Sequence, residues 1–251
     1  MIQIKGLIHS LAAMFLIFTF TGGCASMGPT IPPGVKPVGP EAGVNGNGWW
    51  EVRFQMKWPE DTEASWHVDL FLALEVVSPV LDQYRKDIIL WRFHRRAHRD
   101  QTGHQFSFIF YCHPTKAQQI YDAIKSDVGL AEMKTAGIII KEGYDDTGRI
   151  LRPRIEDTSG SAWPRSIKKS WPYFIMGVSQ MWLDLITEIA EQNSDGQQPL
   201  LIEERLAFYE QVNASVTEVW REQGQRAFLH HLNALFGYEP VAIYEKRYMK
   251  F

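Results

Sequence analysis

Residues 88–112, IILWRFHRRAHRDQTGHQFSFIFYC, contain two strand patterns separated by a polar turn. The second half, His104 to Cys112, alternates aromatic residues with other side chains, which is the two-residue period of a β-strand. The first half, Ile88 to Arg96, is apolar and aromatic enough for another strand. Arg99-Asp100-Gln101-Thr102-Gly103 between them is typical of a hairpin connection. The segment therefore predicts two strands joined by a short turn.

A strand and a helix precede this hairpin. Trp49 to Trp58 alternates apolar with polar side chains, so one face of the strand is expected to be buried. Helical spacing follows from about Glu63. Pro79 cannot sit in a straight helix interior without the loss of a hydrogen bond. We therefore expect a break there, with Ser78 as the cap of a restarted helix.

A second helix and a fourth strand follow the hairpin. Pro114-Thr115 opens an amphipathic helix through Ile124, and Ile138-Ile139-Ile140 indicates a strand. The element order is then β-α-β-β-α-β, which is the ferredoxin-like arrangement. The sequence thus predicts an α+β fold with a sheet lobe over residues 49–145.

The C-terminal third changes to the helical period. A long amphipathic helix is predicted to begin near Ser170 and Pro172. A second long helix follows after residues 193–199, with Gly224 as a point of interruption. The residues expected to face inward on it are Ile202, Leu206, Tyr209, Val212, Val216 and Trp220, continued by Phe228, Leu229, Leu232, Leu235 and Phe236.

The chain ends in a segment, residues 241–248, that fits either a short final strand or a docked extended tail. We see no internal repeat. Residues 49–251 are therefore expected to form one α+β domain, with a lobe of long helices over residues 163–237. This length is sufficient to bury a substantial core.

The composition excludes several protein classes. The chain has 251 residues, 26 Lys and Arg against 29 Asp and Glu, 45% apolar residues and 2 Cys. Disordered chains, collagen-like repeats, disulfide-dense miniproteins and polytopic membrane proteins all depart strongly from such usage. Without a basic excess, no nucleic-acid partner is expected.

The N-terminus has the features of a signal peptide. Residues 1–23 carry one charged group, Lys5, before an apolar run too short to cross a bilayer of about 30 Å. The end of this segment, Thr21-Gly22-Gly23-Cys24, resembles the lipobox of bacterial lipoproteins, in which the Cys is diacylated and becomes the mature N-terminus. The resemblance implies a membrane anchor on Cys24. The alternative is an ordinary cleaved signal that leaves Cys24 as a thiol.

Residues 24–48 are predicted to form a tether between this anchor and the domain. Within residues 25–48 there are 5 Pro and 6 Gly and no aromatic residue, so the segment cannot build a packed face. By resemblance to Gram-negative lipoproteins, Ala25 and Ser26 imply sorting to the outer membrane.

The densest polar cluster surrounds the hairpin. Arg92, His94 and Arg96 share one face of the predicted strand, and with His104 they are our candidate site for an anion or a peptide. The alternative is a solvated strand face beside a basic turn. A metal site at His94, His98 and His104 is the weaker hypothesis, because their spacing suits a helix and no carboxylate or Cys stands at ligand spacing. No metal is predicted.

Residues for catalysis are not evident. The sequence has no nucleophile elbow, glycine-rich phosphate loop, HExxH or CxxC motif. On a helix, His67 and Asp69 point about 200° apart, so they cannot pair as a base and its orienting carboxylate. His230-His231 lies on an apolar stripe, which favours packing over catalysis. We predict neither catalytic residues nor a cofactor.

Two further residue types are better explained by packing. Cys112 lies on an aromatic strand and is expected to be a small buried side chain. Most of the nine Trp residues fall on core stripes. Only Trp49, Trp50 and Trp163, next to linkers or loops, are candidates for an exposed stacking platform.

Four motifs resemble the thiopeptide-type bacteriocin biosynthesis domain, which also forms the C-terminal elimination part of lantibiotic dehydratases. The first is an opening strand that begins with Trp, and the second is the proline-containing helix Glu75-Val76-Val77-Ser78-Pro79-Val80-Leu81. The third is the strand Trp91-Arg92-Phe93-His94-Arg95 with the hairpin residues Asp100, Gly103, His104 and Phe106. The fourth is the terminal segment His231-Leu232-Asn233-Ala234-Leu235-Phe236-Gly237. They span about residues 49–240. The resemblance implies the same fold and a groove for an extended peptide.

The chain departs from that family at two places. Residues 142–149 do not reproduce the family's Tyr-x-x-Glu-x-x-Arg-Tyr-Gly-Gly segment, and Ala234 stands where the family has Arg. The family's enzymes also act on cytoplasmic peptides, whereas this chain carries an export signal. The resemblance therefore transfers no catalytic residue.

The sequence favours a non-catalytic, membrane-anchored lipoprotein whose domain binds a peptide or protein partner in the cell envelope. The alternative is a peptide-modifying enzyme related to the thiopeptide and lantibiotic domains. A structural lipoprotein without a partner is the third hypothesis.

Overall fold

Four antiparallel strands form one sheet in the order β2-β3-β1-β4. This computed structural model describes residues 46–194, 201–238 and 240. The strands are β1 Gly48–Met56, β2 Leu90–Ala97, β3 His104–Cys112 and β4 Ile139–Tyr144. With a helical connection after β1 and after β3, the α+β class and the ferredoxin-like order are confirmed. The signal peptide, Cys24, most of the tether and the tail at residues 241–248 lie outside the described residues.

Three helical segments connect β1 to β2, and the break expected at Pro79 is absent. They are α1 Trp66–Phe71, a π-helix Leu72–Val77 and α2 Ser78–Gln83. The Ser78 N–H donates to Ala73 O, five residues back. This wider turn gives room to the Pro79 ring, which in an α-helix would clash with the carbonyl four residues back. The α-helix does restart at Ser78 with Pro79 in its first turn, as predicted, but the helical backbone is not interrupted there because a π turn precedes it.

Two helices connect β3 to β4. They are α3 Pro114–Lys125, as predicted, and α4 Val128–Thr135. Each begins with a side-chain cap: His113 Nδ1 accepts from Thr115 N at 3.3 Å, and Asp127 Oδ1 accepts from Leu130 N at 2.7 Å. The short α4 was not predicted from the sequence.

The helices cover one face of the sheet and enclose the main core. Every second residue of β1 and β3 on this face is fully or nearly fully buried: Trp50, Val52, Phe54, Met56, Phe106, Phe108, Phe110 and Cys112. Burial of Cys112 is thus confirmed. At about 25 cal/mol per Å² of apolar surface removed from water, this aromatic layer is a main source of stability.

Two of the three tryptophans proposed as a stacking platform are buried instead. Trp49 is 2% and Trp50 is 1% exposed. The indole of Trp50 donates to Cys112 O at 3.0 Å, and the indole of Trp49 donates to Ile155 O at 3.0 Å. Trp163 remains 38% exposed. Trp49 is covered by the segment after β4, which contains a short 3₁₀ helix, Ile155–Thr158.

The long helix α5, Arg165–Asn193, passes along the outer edge of β2. The backbone N–H of Phe93 donates to Ser179 Oγ at 3.1 Å, so a helix side chain satisfies a strand edge that would otherwise lack a partner. The helix begins before the predicted start near Ser170 and includes Pro172. Pro172 has no N–H for Lys168 O, and Ser159 Oγ donates to that carbonyl instead, at 2.7 Å.

The last helical stretch consists of α6 Ile202–Val219, a π-helix Trp220–Leu229 and α7 His230–Leu235. The predicted interruption at Gly224 is absent, because that residue lies within the π-helix. The predicted apolar stripe is buried only in its first half, at Tyr209, Val212 and Val216. In its second half, Trp220, Phe228, Leu229, Leu235 and Phe236 are exposed.

A polar network joins α6 to the rest of the domain. Tyr209 Oη donates to Glu75 Oε1 at 2.7 Å, and Arg205 Nη1 donates to Glu132 Oε2 at 3.0 Å. The Arg205 guanidinium also lies over the Phe71 ring, 4.7 Å from its centre. These contacts hold α6 against the first helix and α4. Within residues 46–194 and 201–238, no helix combines the length and apolar character needed to cross a membrane.

Candidate functional site

The sheet face opposite the helices carries the predicted site. We call this surface the polar face; its residues are Glu51, Arg53 and Gln55 of β1, Arg92, His94 and Arg96 of β2, and Gln105 and Ser107 of β3. The antiparallel register places them in rows across the strands, because side chains directly opposite one another share a face. His94 lies opposite Ser107, which in turn lies opposite Arg53.

His104 does not belong to this face, so the four predicted residues do not form one site. In β3 it has the same parity as Phe106 and Phe108, and its side chain is fully buried among the helices. Side chains of a strand alternate between the two faces. His104 therefore points to the opposite side from Arg92, His94 and Arg96, and the grouping of all four is wrong.

His104 instead lies in a buried charged cluster. Its Nε2 is 3.0 Å from Asp69 Oδ1, and Asp69 Oδ2 accepts from Arg95 Nε at 2.7 Å. The Arg95 guanidinium stacks between the rings of Trp66 and Trp182, at 4.9 and 4.8 Å from their centres. Both carboxylate oxygens thus have basic neighbours, and the enclosure closes His104 to a substrate.

The sequence analysis did not pair Asp69 with Arg95. The sequence signal for this pair is a charged residue at a position where the neighbouring residues of the pattern all belong to the core. Arg95 has the strand parity of Trp91 and Phe93, and Asp69 lies between Val68 and Leu70. Charged residues are almost never fully buried unless they are paired, so two such positions in adjacent elements indicate an ion pair.

Most charges on the polar face have partners. Arg53 lies 3.2 Å from Glu51 Oε2 and 3.2 Å from Asp145 Oδ1. The other Asp145 oxygen accepts from Arg152 at 2.6 Å. Arg96 pairs with Asp100, with one hydrogen bond of 3.0 Å. These carboxylates are therefore already neutralised by neighbouring arginines.

Arg92 has no ion pair or hydrogen bond among the described residues. It is half-buried, and its Nε is closed off from solvent without an acceptor. Burial lowers the pKa of its guanidinium, the charge of Arg152 lowers it further, and Glu51 raises it. A buried donor without a partner costs about 1–3 kcal/mol, and more when the group is charged. An anion bound at the terminal NH₂ groups would offset part of the cost of burying this charge.

His94 lies next to Arg92 on the same strand face and is exposed. Burial by its neighbours and the positive charges of Arg92 and Arg96 lower its pKa from the usual value, while Glu51 raises it. The lowered pKa favours the neutral imidazole. Ser107, opposite His94, accepts a hydrogen bond from Gln105 Nε2 at 3.0 Å and keeps its own proton for donation.

A shallow depression lies at the hairpin end of the sheet. It has a volume of about 370 Å³ and is lined by Gln55, Met56, Trp58, Glu60, His98, Arg99, Asp100, Gly103 and Ile140. Arg99 fixes its wall: Nη2 donates to Thr62 O at 2.6 Å, and the guanidinium lies 3.5 Å from the centre of the Trp58 ring. Gln55 belongs to both surfaces, so the polar face continues into the depression.

The described residues contain no group of three His, Cys, Asp or Glu side chains that could hold a metal ion. The candidate set of His94, His98 and His104 is divided between the two faces of the sheet. Burial lowers the pKa of His67, whose neighbours include Glu210, Asp69 and His104. His230 and His231 contact each other, with ring centres 5.4 Å apart.

Comparison with known proteins gives one distant likeness. No family model matches the chain, and no curated protein matches it. The solved structure of TsrL is similar over 75% of this chain and 55% of TsrL, at 12% sequence identity and a TM-score of 0.33. The chain thus spans about half the length of TsrL.

Proposed function

We propose that this chain is a lipid-anchored protein of the bacterial cell envelope that binds a peptide or protein partner through the polar face, without catalysis. One observation carries the proposal: Arg92, a half-buried guanidinium without a protein partner, lies beside the exposed His94. The lipobox at Cys24 and the tether after it support the proposed location in the cell envelope. The outer membrane is the proposed location.

The chemistry of the polar face supports binding over catalysis. It offers hydrogen-bond donors and one unpaired positive charge, which are recognition groups. The buried pair of His104 and Asp69 is enclosed by Trp66 and other core side chains, so it cannot reach a bound molecule.

The second candidate function is a peptide-modifying enzyme. One observation favours it: His94 lies directly opposite Ser107 in the register, which is the pairing of a base with a nucleophile. Ser107, however, is fully buried and accepts its hydrogen bond from an amide of Gln105. We therefore rank this function below binding. Loss of His94 would abolish an enzymatic activity but only weaken a binding one.

Photo-crosslinking in intact cells tests the proposed function. A photoreactive amino acid replaces Lys141, which is exposed beside Gln55 in the register, in the full chain. The matched control position is Val128, which is 71% exposed at the start of α4. We expect a discrete crosslinked species from position 141 alone, and its loss when Arg92→Met is added.

Two results would contradict the proposal. Equal crosslinking from positions 128 and 141 would indicate contact without a specific surface. Crosslinking from position 141 that Arg92→Met leaves unchanged would show that the unpaired guanidinium does not take part. Far-UV circular dichroism of the Arg92→Met variant verifies that the fold is retained.

A further inference from the structure

We infer that Arg92 and His94 form a binding site for a single carboxylate group, so that the partner presents a free carboxylate on the polar face. This inference rests on the proposed function and names the chemistry of its ligand. The carboxylate can come from the C-terminus of a peptide or from an acidic side chain. Both sources offer the same planar, singly charged group.

The distribution of charge singles out Arg92. The carboxylates of the polar face and its rim belong to other cations: Glu51 and Asp145 to Arg53, and Asp100 to Arg96. Lys141 is also without an ion pair in the described chain, but it is exposed on β4, three strands from β2, or about 14 Å away. Among the described cations of the polar face, Arg92 is therefore the one that is both unpaired and partly removed from water.

The geometry around Arg92 matches a carboxylate. A guanidinium presents parallel N–H donors, which fit the two oxygens of a carboxylate. Arg92 and His94 are two residues apart on one strand face, about 7 Å. Ser107 lies opposite His94 but is fully buried, so it is not available to a ligand. Arg92 and His94 thus flank one position above the sheet.

Each group has a donor to offer. Arg92 supplies its terminal NH₂ groups, and the His94 imidazole supplies a ring N–H. The Nε of Arg92 is closed off from solvent, which leaves the two terminal NH₂ groups as the donors for an external ligand. Charge-assisted hydrogen bonds strengthen when water is excluded.

The charge of the site favours a monoanion over a phosphate. The charged groups that affect the pKa of Arg92 are the negative Glu51 and the positive Arg152. These two charges offset each other, so the position above Arg92 carries one net positive charge. A dianion would leave one negative charge uncompensated, so a carboxylate is the better match.

Titration of the full chain with acetate, followed by NMR, tests this inference. The Arg92 Nε–H signal is assigned by its absence from Arg92→Lys. We expect a saturable shift with acetate and none with acetamide, the neutral analogue of the same shape. Arg92→Met should weaken acetate binding, read at the His94 ring protons, by at least about tenfold. Arg85→Met, at an exposed arginine outside the polar face, is the control and should bind within about twofold.

Three short peptides distinguish the two sources of the carboxylate. Acetyl-Ala-Ala-Ala with a free C-terminus is compared with acetyl-Ala-Glu-Ala-amide, and acetyl-Ala-Gln-Ala-amide is the neutral control. Tighter binding of the first assigns the site to a chain terminus, and tighter binding of the second assigns it to an acidic side chain. Equal binding of the neutral peptide and the charged ones would overturn the inference.

Other outcomes also overturn it. These are the absence of a saturable shift with acetate, an acetate response that persists in Arg92→Met, or inorganic phosphate binding more than about tenfold tighter than acetate. If Arg92→Met does not fold, the acetate and acetamide titrations of the unmodified chain still test the inference. Carboxylate binding without a crosslinked partner would refute the proposed function alone, whereas a crosslinked partner without carboxylate binding would refute this site alone.

Discussion

Asp69 is the residue on which the buried cluster depends. Its fully buried carboxylate contacts Arg95 of β2 and His104 of β3 from its position in α1. Removing one partner of a buried ion pair leaves the other charge without compensation. A single carboxylate thus fixes one helix and two strands relative to one another.

We predict that Asp69→Asn lowers the free energy of unfolding by about 3 kcal/mol, because Arg95 loses its counter-charge inside the core. Urea denaturation followed by circular dichroism measures this change. The matched control is Asp82→Asn, which breaks the surface pair with Arg85 and should leave stability unchanged within error. Equal effects of the two variants would mean that the buried cluster is not stabilising.

The charges facing His94 set a second prediction at the residue scale. They come from two strands: Arg92 and Arg96 from β2, and Arg53 and Glu51 from β1. In the free protein the lowered pKa means that the folded state binds fewer protons than the unfolded chain. Stability is therefore lost as the pH falls below about 6.5.

A bound carboxylate should raise the pKa of His94, because a nearby anion favours the imidazolium. Acetate binding is then predicted to tighten as the pH falls from about 7.5 to 5.5. NMR titration across this range measures the effect, and His94→Gln should bind with no such pH dependence. The same slope in both proteins would exclude His94 from the site.

At the scale of elements, Pro172 shows how a long helix tolerates an internal proline. The carbonyl of Lys168 loses its usual donor and is bonded by the hydroxyl of Ser159, which lies just after the 3₁₀ helix. An unsatisfied carbonyl at this position would cost more than an ordinary hydrogen bond gains. The carbonyl that Pro172 leaves without a donor in α5 thus joins this helix to the segment that follows β4.

We predict that Ser159→Ala lowers the free energy of unfolding by about 1 kcal/mol. In Pro172→Ala the restored N–H can bond to Lys168 O, so Ser159→Ala should cost clearly less in that background. A double-mutant cycle with urea denaturation measures the coupling. Additive effects would show that the hydroxyl and the proline are independent. Ser161→Ala, at an exposed nearby serine, is the control for mutating a serine in this segment.

The elements differ in how well they could be predicted. The alternating strands and the order β-α-β-β-α-β follow from local pattern, because a two-residue period needs one buried face and nothing else. The π-helices do not, since an i to i+5 bond leaves no mark on the apolar period. Pro79 and Gly224 were therefore interpreted as breaks.

The candidate site was predictable only in part. The parity of β2 placed Arg92, His94 and Arg96 on one face, because all three lie in one strand. His104 lies in the next strand, and relating the faces of two strands needs the register of the hairpin. Likewise, a helical period identifies an apolar stripe at Phe228 and Leu235 but not whether another element covers it.

At the scale of the whole molecule, the proposed tether holds the domain at a distance from the membrane. The 24 residues from 25 to 48 could extend up to roughly 70 Å if fully polyproline-like, at about 3.1 Å per residue. A domain held at this distance could present the polar face to a partner beyond the lipid headgroups.

We predict that Cys24→Ser abolishes the anchor because a serine cannot receive the thioether-linked diacylglycerol of a lipoprotein. Cell fractionation should find the native chain in the membrane with a diacylated N-terminus by mass spectrometry. Cys24→Ser should lack the lipid mass. If both proteins had the same N-terminal mass and were found in the same cell fraction, the proposed lipid anchor would be contradicted.

Chemical labelling of the Cys112 thiol can report the unfolding of the sheet. Burial raises the pKa of its thiol to about 12, and its side chain is fully enclosed in the core. A thiol reagent can therefore label it only when the sheet opens. With Cys24 acylated, no other thiol competes. We predict that labelling is slow in the native chain and faster in Asp69→Asn, by about tenfold for each 1.4 kcal/mol of stability lost. Equal rates would show that the thiol is reached by local motion.

The labelling rate can be followed without denaturant, and therefore also at the proposed membrane location of the chain. One sulfur atom at the end of β3 thus allows the stability of this protein to be measured at that proposed location.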